Sequence, residues 1–311
     1  MDPTTLAILR SWSFRPEVIL PLTLAAALYV RGWRQLRAIA QQRERSVART
    51  NPRPPLAAGW KLVAYLSALL LIAISLMSPI DALGGQLFFM HMVQHIPLLM
   101  WSPILIWIAS PFPIVLWGLP REVRFAVGDL IGQNTPVRRA LRFLSSPAVG
   151  WFAFLVFLLG WHDSNMYNAA LRYDWVHDIQ HLTFFLAAML FWWHVVGAAP
   201  RFRRNLGNGA RLAYVVSMTP FNMFLGIAIA FASRPLYSYY AEVPRLYGIS
   251  VMDDQTLSGI IMWIPGSMMF LMAALVLLAR IVQVEADKPV DPNPPWMVSE
   301  SRLQGPTSRP R

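Results

Sequence analysis

The chain has 311 residues, of which 14% are charged and 56% belong to the apolar set. With a mean hydropathy of +0.43, that balance excludes a disordered chain, which needs low hydrophobicity. It also argues against a water-soluble enzyme, because too few charges remain to cover a water-facing surface. The absence of cysteine excludes disulfides, thiolate metal sites, iron–sulfur clusters and cysteine nucleophiles.

Apolar runs long enough to cross ~30 Å of hydrocarbon recur along the chain. They predict an all-α polytopic membrane bundle of about seven transmembrane helices, at residues 17–30 (extendable to 33), 60–77, 86–109, 147–161, 177–197, 212–232 and 255–282. Pro79, Pro111, Pro147, Pro200 and Pro235 punctuate the edges, where a missing N–H does least harm. Pro97 falls inside the third run and predicts a kink there. The bundle is expected to occupy residues 1–284. A polar, Pro-rich tail follows at 285–311 and reads as disordered.

The net charge of +11 is unevenly placed. Residues 31–61 carry eight Lys or Arg, the third-to-fourth connection five, the fifth-to-sixth four and the tail five, against five on the opposite face. The alternation predicts an outside N-terminus and a cytoplasmic C-terminus, in the inner (plasma) membrane. The charge is thus a topology signal rather than the footprint of a nucleic-acid partner. Arg10 and Arg15 before an apolar stretch with Ala25-Ala26-Ala27 could also open a cleavable signal peptide. Cleavage there would put the basic 31–61 block outside, against the rule.

The six histidines are His91, His95, His162, His177, His181 and His194, all within or at the ends of the expected spans. An ionisable side chain inside a membrane is expensive and marks function by default. Two pairs share one spacing, His91-x-x-x-His95 and His177-x-x-x-His181, which places both imidazoles of a pair on one helix face. Both pairs lie within a few turns of the outer boundary, as does His162. Imidazole suits copper, zinc and iron. Structural or proton-handling histidines remain the alternative. His194 lies ~25 Å further in than His177 and reads as structural.

Asp178 and Asp254 are candidates to orient a ligating imidazole through its second nitrogen. Asp81, Asp163, Asp174 and Asp253 lie on the same outer face, where solvation explains them equally well. Met77, Met90, Met92, Met252 and Met262 also fall near the outer side. A thioether selects Cu(I), but most methionines in spans are packing, and Met90 and Met92 cannot both face the His91 site. Other chemistries lack their motifs. There is no Gly-rich phosphate loop, no G-x-S-x-G elbow and no H-E-x-x-H. Gln94 and Gln180, inside the two pairs, cannot act as general bases.

The segments 88–95 (Phe-Phe-Met-His-Met-Val-Gln-His), Gly160-Trp161-His162, 177–181 with Phe191-Trp192-Trp193, and Asp254-Gln255 through Trp263 to Pro265-Gly266 resemble the polytopic CtaG family of cytochrome c oxidase assembly factors. The likeness spans roughly residues 60–280. It implies a seven-span, non-enzymatic membrane protein that aids assembly of haem–copper oxidase through copper, with oxidase subunits and membrane lipid as partners. His91, His95, His162, His177 and His181 match the family's histidine positions and are the expected metal ligands. A haem-binding electron carrier, with histidines on facing spans as axial ligands, and a cofactor-free scaffold are the rival readings.

Overall fold

The computed structural model describes residues 3–46, 56–132, 135–203 and 206–287. These are all helix and connection, with no strand among the described residues. A short α1 (Pro3–Leu9) leads to α2 (Pro16–Ser46), α3 (Gly59–Met77) and the short α4 (Pro79–Gly84). Next, α5 (Phe88–Ile96), a π-helical turn (Pro97–Trp101) and α6 (Ser102–Ile108) form one continuous rod. Three short helices, α7 (Pro111–Gly118), α8 (Arg121–Leu130) and α9 (Pro136–Leu144), precede α10 (Pro147–Trp161). The chain closes with α11 (Ser164–Arg172), α12 (Asp174–Val196), α13 (Asn208–Ala230), α14 (Ser238–Glu242) and α15 (Val251–Ala286).

Among the described residues, five rods are long and apolar enough to cross a membrane: α3, α5–α6, α12, α13 and α15. A sixth arises if α9 and α10, which meet at 57°, form one broken span. The expected number was seven, and the two weaker cases have physical reasons. α10 has 15 residues, about 22 Å at ~1.5 Å per residue, short of ~30 Å of hydrocarbon. α2 is longer, but its apolar part ends at Arg31. Large apolar side chains on α3, α10, α13 and α15, such as Val63, Leu70, Phe152, Phe224 and Leu271, point away from the core and remain exposed, as lipid-facing surfaces do. The expected tail lies outside the described residues from residue 288 onward, and α15 runs two residues past the expected boundary to Ala286.

Close crossings join the rods. A Cβ on Gly259 would overlap the Ala230 backbone nitrogen, and one on Gly226 would lie 2.7 Å from the Trp263 nitrogen. The α13 and α15 backbones therefore touch through small residues. Gly32 and Gly118 do the same for α2 and α7.

Pro97 supplies no N–H to the helix. The kink expected there is realised as the π-helical turn, a form that often marks functional positions. Its backbone is satisfied by protein, as membrane burial requires: the buried Trp192 indole donates to the Leu99 carbonyl at 2.8 Å. One turn earlier on α12, the Met189 carbonyl accepts from the Trp107 indole at 2.8 Å. These two bonds hold α12 alongside α5–α6 and set the depth of both histidine pairs.

Candidate metal centre

The i, i+4 spacing puts His91 and His95 on the buried face of α5, and His177 and His181 on the facing side of α12. Ring centroids of His91 and His95 lie 4.4 Å apart, those of His95 and His181 5.2 Å, and those of His91 and His181 5.9 Å. Each of these three residues offers one ring nitrogen such that all three nitrogens fall within 4.8 Å of one another. All three side chains are buried. The Nε2 atoms of His95 and His181 are buried with no hydrogen-bond partner among the described residues. Orphaned buried nitrogens normally call for an explanation. A borderline metal ion satisfies them, so the donor set fits copper on its chemistry.

His177 packs against this trio, 4.1 Å from the His181 ring and 5.1 Å from that of His91, but is not one of the three whose nitrogens converge. His162 caps the end of α10 and lies between Tyr167 and Phe184, with ring centroids 6.0 and 6.2 Å away. Of the five expected ligands, then, three converge, His177 flanks them and His162 stands to one side. His194 sits apart, stacked on Trp193 and near Tyr214.

The carboxylates act differently from expectation. Asp178 is ion-paired with Arg15. Asp254 is almost fully buried and accepts from the Phe88 and Phe89 backbone N–H groups at 3.0 and 2.9 Å. Its other partner is Arg245, at 2.8 Å. It thus caps the helix that carries His91 and His95, whose own N-cap residue, Leu87, supplies no side-chain bond. A carboxylate there satisfies two free donors and meets the positive end of the helix dipole. Asp254 positions the histidines through the backbone rather than through an imidazole.

Sequence reasoning passed over the role of Gln94 and Asp81. Gln94 is fully buried and donates to the Ser75 carbonyl at 2.9 Å and to Asp81 at 2.6 Å. It brings a carboxylate from α4 to the edge of the histidine cluster. Burial raises the Asp81 carboxyl above its ordinary value, with the Gln94 bond opposing. The available signal was position: Gln94 and Gln180 each follow the first histidine of a pair by three residues and share its helix face. Gln180 is likewise fully buried.

The Phe88 end of the cluster is roofed by aromatics. Phe88 packs on Tyr167, Tyr237 and Tyr240. Tyr240 donates to the Gly84 carbonyl and Tyr237 to that of His162. From the side, a cavity of about 330 Å³ reaches His181, with Arg15 and Asp178 among its lining residues and apolar side chains of α2, α3 and α12 forming most of its wall.

Residues 27–283 match the family described as cytochrome c oxidase caa3 assembly factor (Caa3_CtaG). The chain belongs to this family. The family's description is that of an assembly factor. The chain is also similar to proteins described as uncharacterized in Mycobacterium bovis and Mycobacterium tuberculosis, each 26% identical over 291 residues, covering 90% of this chain and 40% of the relative. A third such protein, in Mycobacterium leprae, is 26% identical over 230 residues, covering 71% and 34%. The chain thus spans well under half the length of these curated relatives. No solved structure matches it.

The CtaG-like motif on α15 has a structural account. Asp254 caps α5. The Gln255 side chain accepts from the Leu236 N–H at 2.8 Å and donates to the Arg234 carbonyl at 3.2 Å, anchoring the loop before α14. Gly259 makes the crossing with α13.

Proposed function

We propose that this CtaG-family chain is a seven-span protein of the plasma membrane, N-terminus outside and C-terminus cytoplasmic, that binds copper near its outer face and aids delivery of the metal to cytochrome c oxidase. The spans beyond those passing on length and apolarity are the apolar part of α2 and the α9–α10 pair. The distribution of Lys and Arg supports the orientation. His91, His95 and His181 hold the ion, with His177 and His162 as accessory ligands.

One observation carries the reading: three buried imidazoles from two helices converge with ligand nitrogens within 4.8 Å. Copper bound there would be held by neutral nitrogens alone, a set suited to accepting and releasing a soft or borderline ion. The protein's part is to fix the rings, through the Asp254 cap and the Trp192 and Trp107 bonds, and to exclude water with the aromatic roof. Haem fits less well. The histidine rings pack on one another at 4.1–5.9 Å, so a macrocycle between them would have to part α5 from α12.

Metal analysis and a visible spectrum of the purified full chain test this. About one copper per chain at the trio is expected from the ligand count, with no Soret band. The His91→Ala/His95→Ala double variant should lose that metal and, in cells, oxidase activity with it. Full metal retention by the double variant refutes the site, and a Soret band favours the electron carrier.

A further inference from the structure

His95 has a second set of neighbours. A cavity of about 40 Å³ adjoins the trio, lined by Met92, His95, Met100, His162, Asn222 and Met262 among apolar side chains. The space exceeds the ~10–15 Å³ that one water needs, enough for one ion. Its three methionines are buried and come from three segments: α5, the π-helical turn and α15.

His162 presents a nitrogen into these surroundings in a fixed state. Its Nδ1 lies 2.7 Å from the Leu158 carbonyl. A carbonyl oxygen only accepts, so Nδ1 carries the proton and Nε2 keeps its lone pair. That Nε2 is buried with no partner among the described residues, as is the Nε2 of His95. A second-ring hydrogen bond that frees the other nitrogen is how ligating histidines are held. Met92 faces this cavity, whereas Met90, two residues away on the other face of the helix, does not line it.

We infer that this cavity is a second metal site, selective for a soft monovalent ion such as Cu(I), formed by His162 Nε2 with the thioethers of Met92, Met100 and Met262 and sharing His95 with the three-histidine centre. Thioethers distinguish Cu(I) from harder ions. Because His95 belongs to both ligand sets, an ion can exchange ligands one at a time between them. The inference rests on the copper reading above for its purpose, while its three thioether ligands are separate from the histidine centre.

The test uses the full chain, labelled with selenomethionine, in detergent and under reducing conditions with two equivalents of Cu(I). X-ray absorption at the copper edge reads selenium neighbours directly, without any substitution. Cu–Se scattering is expected in the wild type. It should be lost, with about one equivalent of bound Cu(I), in the Met92→Leu/Met100→Leu/Met262→Leu variant, whose substitutions nearly conserve volume. The His91→Ala/His181→Ala variant should keep the Cu–Se signal. Copper bound with nitrogen neighbours only would overturn this site and leave the three-histidine centre standing. Cu–Se scattering that survives the triple Leu variant, or vanishes with His91 and His181, would overturn the ligand assignment. No copper bound in the wild type would overturn both readings.

Discussion

Replacing Asp254 with alanine should disturb the metal centre without touching a ligand. Its carboxylate is 1% exposed and receives the first two N–H groups of α5 and one Arg245 nitrogen. Removing it leaves two donors unpaired at a buried helix start, about 1–3 kcal/mol each. Arg245 loses its counter-charge but still donates to the Tyr240 and Ile249 carbonyls, and its partial exposure softens that loss. The two donors sum to about 2–6 kcal/mol, which brackets the roughly 3–5 kcal/mol for breaking a buried ion pair. Asp254→Asn retains one acceptor and should lose roughly half as much. Thermal unfolding in detergent of both variants, with Arg245→Ala and the double variant to close a cycle, measures these values. His91 lies one turn from Phe88, so the Asn variant, while folded, should bind copper about 10–100-fold more weakly, as when a positioning partner of a metal ligand is lost. An alanine variant within ~0.5 kcal/mol of wild type, the spread of an ordinary surface substitution, would refute the claim that this carboxylate anchors α5.

Two further substitutions probe the frame. Gly259→Leu forces a side chain into the Ala230 backbone and should destabilise by at least ~1–3 kcal/mol, whereas Gly128→Ala, in open space on α8, should be neutral or stabilise by up to ~1 kcal/mol; thermal melts in detergent rank them. Burial raises the Asp81 carboxyl in the folded chain. A raised folded value means this group's contribution is fully present below its unfolded value and is lost as pH rises through the folded one. Asp81→Asn should therefore gain on wild type as pH rises from the ordinary carboxylate value of about 4 through the raised folded one, and a parallel pair of stability profiles would count against the burial argument.

The sequence conveyed the long elements well because lipid and core impose simple rules on them. Apolar runs of membrane length became α3, α12, α13 and α15 with ends shifted by a few residues, and the run at 147–161 coincides with α10. The i, i+4 pairs bring three of their four imidazoles together, since helix spacing fixes their faces whatever surrounds them. What spacing cannot convey is which groups meet across the bundle. Asp254 reads as one more outer carboxylate until α15 is seen to place it under α5, 166 residues away in sequence from Phe88. Asp178 was available to orient His177 until Arg15, 163 residues away, claimed it. His162 belonged with the other histidines by depth alone, and the folded chain places it on a cavity that it shares with His95, Met92, Met100 and Met262.

That partitioning of carboxylates bears on the strength of binding. Asp178 is engaged by Arg15, Asp254 by Arg245 and two backbone donors, and Asp81 by Gln94. The converging ligands are neutral, so an incoming ion keeps its full charge in a buried place, and burial penalises a divalent ion more steeply than a monovalent one. Gln180→Glu tests this. Gln180 is fully buried beside His91, and glutamate there differs by one charge at nearly constant shape. At ~4 Å and an effective dielectric of ~20, attraction to a divalent ion is about 8 kcal/mol, and to a monovalent one about 4. Desolvating the carboxylate offsets several kcal/mol of either. The balance favours the divalent ion, by roughly tenfold or more in affinity, and removes most of the gain for Cu(I). Competition titrations of Cu(II) and Cu(I) read the two effects separately. In cells, a variant that holds its metal too firmly should lower oxidase activity while its own copper content rises. Unchanged Cu(II) affinity would mean that a carboxylate already balances the site, and the argument from neutral ligands would fail.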